Sequence, residues 1–510
     1  MGREKDYKAK DGLLTESKGA EKLNKFFDFE SISDVQNCDI ILLSNENLRN
    51  AIAVARTWKE RSLIQEIRDC FSKSSKLIFV IRGMRRTGKT TALLQFCENP
   101  DKTVFLSIRR GSSGSIHQLI TLLLSMDICY DDCLMIDEIT ELSDALTGLH
   151  FLYDVVPCKK IIVTGSDSLV LNNPFIERNN LMRVCASHNL NYISLEEWCT
   201  LTGSKDYKEY VRSLGTLMRV FDGELVQWFN LSLLDNIMNS FNRNSIIMKK
   251  YPLEFPLLAV ASVLLQACFG TEIYTKSFKR EHSEIFIELF DLEGLDSFLS
   301  LRNTNKNKFL SELYWATKML EELDYVVEIP FYDSLSDLKD NRVREQKCIC
   351  TIPYVSLMMK SILARVGNTK INYVLNDYAI GAEFENFVVA QIVSINKEND
   401  YRYKCGKVRS FDGTVEFDLV LEDVAENVYV IEVKHSTKST VQLNNLESKE
   451  KFSKVCGDNA KKICIYRGNS FLRTSPNGFI DMVNVVDFFC EYFPKMLKQD
   501  PYCPEEIERE

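Results

Sequence analysis

The chain has 510 residues, of which 45% are apolar and 26% charged, with 11 prolines and a net charge of −9. At about 150 residues per domain this length asks for roughly three domains rather than one core. The composition excludes a disordered or fibrous chain, and the acidic balance excludes a surface that is one continuous phosphate-binding field, while leaving room for a local basic groove.

Residues 1–50 begin polar and charged and show no repeat, so they read as an N-terminal extension. Arg3, Glu4, Lys5, Asp6 and Lys8 stand where a signal peptide would need apolar residues. The longest apolar stretch, 256–270, contains Gln266 and is shorter than the roughly 20 residues that cross a bilayer, so it reads as a buried helix. A cytoplasmic chain with no membrane contact is expected. The 16 cysteines are scattered. Cys348 and Cys350 lie closest in sequence, but the alternation across Lys347–Ile352 reads as a strand rather than a zinc site.

Residues 51–215 carry the strongest pattern. Leu77–Ile81, Val104–Ile108, Leu134–Ile136 and Ile161–Val163 are apolar runs separated by amphipathic stretches, which predicts an α/β domain with a parallel sheet covered by helices. Between the first run and the helical stretch Thr91–Phe96 lies Gly83-Met84-Arg85-Arg86-Thr87-Gly88-Lys89-Thr90, which fits the P-loop pattern G-x-x-x-x-G-K-[ST]. Glycines there let backbone N–H groups converge on phosphates, and the following helix, with Thr91 in its first turn, presents its positive end. Gly83, Arg85, Arg86, Thr87, Gly88, Lys89, Thr90 and Thr91 are therefore the candidate ATP-binding residues. Lys89 is expected to reach the β- and γ-phosphates, and the Thr90 hydroxyl to ligate Mg²⁺. The run Cys133–Ile136 ends in Asp137 and Glu138: Asp137 is the candidate Mg²⁺ partner, and Glu138 the group that orients or deprotonates the attacking water. Thr164-Gly165-Ser166 ends the next strand, where the hydroxyls, Ser166 among them, could sense the γ-phosphate or simply form a strand-ending turn. Arg178 and Arg183 follow at a distance that allows an arginine contact to the transferring phosphoryl group, in cis or from a neighbouring subunit. Ser194 and Glu197 form an S-x-x-E capping box, and a helical segment continues from there to about residue 250.

In residues 216–355, Phe309, Leu313, Ala316, Leu320 and Leu323 recur at helical spacing, followed by a strand at Tyr325–Ile329, a polar loop and a strand at Cys348–Ile352. Helix, strand, loop, strand is the outline of a winged helix. Arg302, Lys306 and Lys308 in front of it could touch phosphate, but read first as a solvated face. Residues 356–510 mix a helix at Glu383–Ile392 with strands at Glu416–Leu421 and Val428–Lys434, an α/β domain of its own.

These residues resemble prokaryotic ATP-binding proteins that join an AAA-like P-loop domain, a winged helix and a C-terminal domain of unknown function. The matching stretches are Ile81–Thr91, Leu134–Ile139, Ile161–Ser168, Gly381–Val388 and Val415–Lys434. Asn191-Tyr192 stand where the family usually has a proline-containing stretch after its arginine, here Arg183. In the last domain Glu385 on the helix, Asp418 at one strand and Glu432-x-Lys434 on the next resemble the PD-(D/E)XK nuclease fold, a restriction-endonuclease-like α/β architecture. That resemblance implies Asp418 and Glu432 as Mg²⁺ ligands, Glu385 as a supporting ligand and Lys434 as the catalytic cation. The expected function is Mg²⁺-dependent ATP binding and hydrolysis coupled to a winged-helix and nuclease-like domain acting on DNA. The alternative is a nucleotide-operated binding or signalling switch with an inactive nuclease-like domain. Related P-loop ATPases often form rings, so a homo-oligomer is in scope.

Overall fold

The computed structural model describes residues 40–83, 87–109, 114–142, 145–166, 171, 185–190, 192–213, 250–269, 295–352, 377–399, 401–456 and 460–498. The chain divides into two compact units, Met1–Asn191 with Thr216–Met218, and Tyr192–Gly215 with Arg219–Glu510.

The first unit is built on a six-stranded sheet. In chain order its described elements are β1 (Ile40–Leu42), α1 (Asn45–Ala55), α2 (Ser62–Lys73), β2 (Leu77–Arg82), α3 (Lys89–Phe96), β3 (Thr103–Ile108), α4 (Ile116–Leu124), β4 (Cys133–Asp137), α5 (Ala145–Val155), β5 (Lys160–Gly165) and β6 (Cys185–Asn189). The strand order is β1-β3-β4-β5-β2-β6. All neighbours are parallel except β1, which runs antiparallel to β3. The continuous apolar runs follow from burial on both faces, because a period of two sends alternate side chains to opposite sides. Ile78 and Val80 join one core with Leu134, Ile136, Ile161 and Val163, while Phe79 and Ile81 join the other with Met135 and Ile162. All four expected strands are present, each within a residue or two of its expected ends.

The second unit contains α6 (Leu195–Thr202), α7 (Tyr207–Ser213), α8 (Pro256–Phe269), α9 (Leu295–Thr304), α10 (Lys306–Glu322), β7 (Val326–Tyr332), α11 (Leu335–Lys339), β8 (Glu345–Cys350), α12 (Asp377–Glu398), β9 (Tyr403–Arg409), β10 (Glu416–Asp423), β11 (Val428–Lys434), β12 (Lys461–Tyr466), β13 (Phe471–Ser475) and β14 (Gly478–Asn484). Ser194 caps α6, its hydroxyl accepting the Glu197 N–H as the sequence predicts. The apolar stretch near 260 is the helix α8, and among the described residues no helix is long and apolar enough to cross a membrane.

Eight strands form one sheet in the order β13-β14-β12-β11-β10-β9-β7-β8. The helix α10 followed by the β7–β8 hairpin keeps the chain order expected of a winged helix, but the hairpin does not stand apart as a wing. Phe331 and Tyr332 of β7 pair in parallel with Lys407 and Val408 of β9, which draws the hairpin into the C-terminal sheet. Hydrogen-bonding groups along β9 take partners from a segment about 75 residues upstream, a link no local pattern announces. The helical stretch expected up to residue 250 lies outside the described residues beyond 213.

Candidate functional site

The strand order sets β5 between β4 and β2, so three strand ends and the start of α3 meet at one edge of the first sheet. In parallel sheets the crevice beyond the carboxyl ends of the strands is where ligands bind. Gly83 leaves β2 with φ +148, and Gly88 opens α3 in the left-handed region with φ +86. Lys89, 5% exposed, follows at the first position of the helix.

The Lys89 ammonium donates to the Gly83 carbonyl at 2.9 Å and to the Ser166 hydroxyl at 3.0 Å, and lies 3.8 Å from a Glu138 oxygen. Ser166 in turn holds both oxygens of Glu138, its N–H donating to Oε2 at 2.9 Å and its hydroxyl to Oε1 at 2.6 Å. Glu138 adopts φ 59, ψ 45, a left-handed backbone that non-glycine residues rarely take and that costs about 1 kcal/mol or more. Its N–H donates to the Thr164 hydroxyl at 3.0 Å, which donates to Asp137 at 2.6 Å. Thr90 donates to the other Asp137 oxygen at 2.8 Å. Burial, then the neighbouring Glu138, pushes the Asp137 carboxyl up to about 6 against the pull of these hydroxyls and Lys89. A hydroxyl and a carboxylate side by side, with the carboxylate short of positive partners, fit a hard cation completed by water and phosphate oxygens.

Lys89, Thr90, Asp137, Glu138 and Ser166 are thus brought together, with Thr87, Gly88 and Thr91 alongside. Met84, Arg85, Arg86, Arg178 and Arg183 lie outside the described residues. The sequence reading missed Thr164 as a partner of Asp137 and Arg61, a buried residue that donates to the Thr87 carbonyl. An isolated arginine before an amphipathic helix carries no pattern that would single it out.

A second cluster lies in the C-terminal sheet. The β9–β10 register slips between Phe417 and Val420, one extra residue on β10 that re-aims Asp418. Asp418 accepts the Val433 N–H at 2.7 Å, and Lys434 bridges Glu432 at 2.6 Å and Asp418 at 3.8 Å. Glu385 on α12 pairs with Lys407 of β9, a buried lysine the sequence reading did not select because Gly406 and the flanking charges mask the strand. Burial, with Glu385 and Glu432 adding to it, pushes the Asp418 carboxyl up to about 8 against Lys434 and Lys407. Burial also raises Glu432, with Lys434 opposing. Lys434 itself is pulled down by burial but raised overall by Glu432 and Asp418.

Lys407 is thus set against Glu385, and Lys434 against both Glu432 and Asp418. Glu432 Oε1 is buried without a hydrogen-bond partner, an acceptor that a cation could use. Yet among the described residues no three His, Cys, Asp or Glu side chains are grouped to hold a metal, so the expected trio of Glu385, Asp418 and Glu432 is not assembled as a cage. The physical reason is the pairing of Glu385 with Lys407.

Because folding raises the Asp418 carboxyl above its ordinary value of 3.8, the folded chain binds that proton more tightly, and the resulting stability is complete below pH 3.8 and lost as pH rises through about 8. Asp418→Asn, which stays neutral, is expected to flatten this slope and to raise the melting temperature at pH 8.5, without divalent cations, by about 5 °C. Thermal melts from pH 6 to 9 check it; parallel slopes for both proteins would show that Asp418 is not the titrating group.

Compared with known proteins, residues 75–199 match the model of an AAA domain, and residues 380–486 match that of a domain of unknown function, DUF4143. No curated protein matches the chain. Among solved structures, the Walker-type ATPase of Pyrococcus abyssi is 15% identical, with 59% of this chain and 95% of that one covered at a TM-score of 0.28. The ORC2 protein of Aeropyrum pernix in ADPNP–ADP complexes is 10% identical, with 60% and 92% covered at a TM-score of 0.31. Superpositions this loose add nothing to the match of the AAA model. The chain thus carries a segment similar to AAA-type P-loop domains and, after it, one similar to DUF4143.

Proposed function

We propose that the chain is a Mg²⁺-dependent ATPase whose nucleotide cycle is coupled to a nuclease-like C-terminal domain acting on DNA. The observation that carries the first half is the chain of contacts Lys89–Ser166–Glu138 at the end of adjacent parallel strands. ATP entering the loop offers phosphate oxygens to Lys89 and Ser166, which frees the Glu138 carboxylate to face water. Glu138 then takes a proton as the water oxygen attacks the γ-phosphorus, the bond to the β–γ bridging oxygen breaks, and ADP and phosphate leave. Thr90 and Asp137 would hold Mg²⁺, which would neutralise charge on the phosphates. Arg178 or Arg183 is the candidate contact to the transferring group, in cis or from a second copy.

At the C-terminal site Asp418 and Glu432 would hold a cation, with Glu385 supporting once Lys407 releases it and Lys434 facing the reacting phosphate. The helices α8–α10, which precede the β7–β8 hairpin, would serve as the contact to DNA. A second reading, a nucleotide-operated switch with an inactive C-terminal site, is favoured by the lysine pairing of Glu385 and Glu432.

The test is incubation of the purified chain with linear and circular DNA in Mg²⁺ or Mn²⁺, with and without ATP, beside Asp418→Ala, following both phosphate release and DNA integrity. ATP turnover with cleavage lost in Asp418→Ala supports the coupled nuclease. Turnover with intact DNA in all conditions selects the switch, and no metal-dependent turnover sinks both readings.

A further inference from the structure

The turn between α1 and α2 runs beside the phosphate-loop helix and is tied to it at both ends. At the C-terminal end Arg56 donates to the Cys97 carbonyl at 2.8 Å. Gln95, in the last turn of α3, donates to the carbonyls of Ala55 at 3.1 Å and of Trp58 and Lys59 at 3.2 Å. At the N-terminal end Arg61, only 7% exposed, donates to the Thr87 carbonyl. A buried guanidinium is costly unless its N–H groups are used, so this one is committed to its place.

The peptide it grips is the one between Thr87 and Gly88. None of the described peptides is cis, and in a planar trans peptide the N–H points opposite to the C=O. Fixing the Thr87 carbonyl on Arg61 therefore aims the Gly88 N–H away from Arg61, at the start of α3 where backbone donors collect phosphate oxygens. Gly88 has φ +86, a region in which glycine would otherwise swing with little resistance. Gln95 in turn anchors the turn that carries Arg61.

We propose that Arg61 is a positioning residue for nucleotide binding: it touches no phosphate but holds the Thr87–Gly88 peptide with its N–H facing the nucleotide. This rests on the ATP reading given above. Its signature is a split between affinity and turnover, because the Lys89 bonds to Gly83 and Ser166 and the Ser166 bonds to Glu138 are made between those residues themselves.

The experiment measures binding of a non-hydrolysable ATP analogue, steady-state ATP turnover and the melting temperature for Arg61→Ala and Arg61→Lys, with Lys89→Ala as reference. Arg61→Ala is expected to weaken analogue binding and raise KM by about tenfold, with kcat at saturation within about twofold, the size of one charge-assisted hydrogen bond used for preorganisation. Arg61→Lys, which still donates one bond, recovers part of the affinity. Wild-type affinity in Arg61→Ala, with binding lost in Lys89→Ala, overturns the proposal alone. Unchanged binding in Lys89→Ala overturns the ATP reading instead. A loss in Arg61→Ala that tracks a fall in melting temperature and is not recovered by Arg61→Lys makes Arg61 a packing residue and also overturns it.

Discussion

Glu138→Gln is expected to slow ATP hydrolysis by about 100-fold or more while leaving ATP affinity within about threefold, because general-base contributions are typically of that size and the amide is nearly isosteric. The amide oxygen can still accept one bond from Ser166, whose N–H and hydroxyl grip the two carboxylate oxygens in the native protein, while the amide NH₂ can only donate to the rotatable hydroxyl. What the substitution removes is the basicity needed to take a proton from water, together with the 3.8 Å ionic contact to Lys89. The left-handed backbone of residue 138 stays strained in either protein, so a folding defect is not the expected route to loss. Single-turnover hydrolysis beside equilibrium binding separates the two effects. Turnover equal to wild type would remove Glu138 from the base role and turn attention to water held elsewhere in the crevice.

Gly83→Ala is expected to abolish nucleotide binding and lower the melting temperature of the first unit by roughly 10 °C, corresponding to about 3 kcal/mol in a domain of this size. Gly83 has φ +148, and a Cβ added there would lie 2.0 Å from the Leu190 carbonyl oxygen and 2.4 Å from its carbon. Both neighbours are backbone, and Leu190 is fixed by its own N–H, which donates to the Arg82 carbonyl at 2.6 Å. No rotamer change relieves such a contact, so either β6 leaves the sheet or the loop leaves its path. Differential scanning calorimetry with nucleotide titration checks this; a variant that melts and binds like wild type would mean that the Gly83–Leu190 approach is not maintained in solution.

The same glycine shows how much of the site was legible beforehand. The loop pattern, its strand and its helix could be read because each demand is local: a buried strand is apolar throughout, and phosphate-binding backbone needs glycine. Asp137 and Glu138 were legible for a similar reason, as charges ending a run that admits none. The outer strands were not. β6, Cys185–Asn189, is half exposed and has only Ala186 and Cys185 to mark it, while β1 is three residues long. In the second unit Glu432 and Lys434 followed from the period of two, and their 2.6 Å contact agrees with it. Lys407 did not follow, because its burial depends on Glu385 from another element. The hairpin Val326–Cys350 read correctly as two strands, and only its destination was hidden, since parallel pairing with β9 is decided by tertiary contacts.

That destination bears on how the C-terminal domain can be produced and how it folds. A fragment starting at residue 356 would keep α12 and β9–β14 but lose β7, leaving Phe331's partner Lys407 and the adjoining backbone of β9 as an open edge. Unpaired edges template intermolecular strand addition, so such a fragment should aggregate, whereas one beginning ahead of Val326 closes the edge with its own hairpin. During synthesis the hairpin emerges first and waits for β9, so the sheet closes late and through a contact of long sequence separation, which makes this step slow.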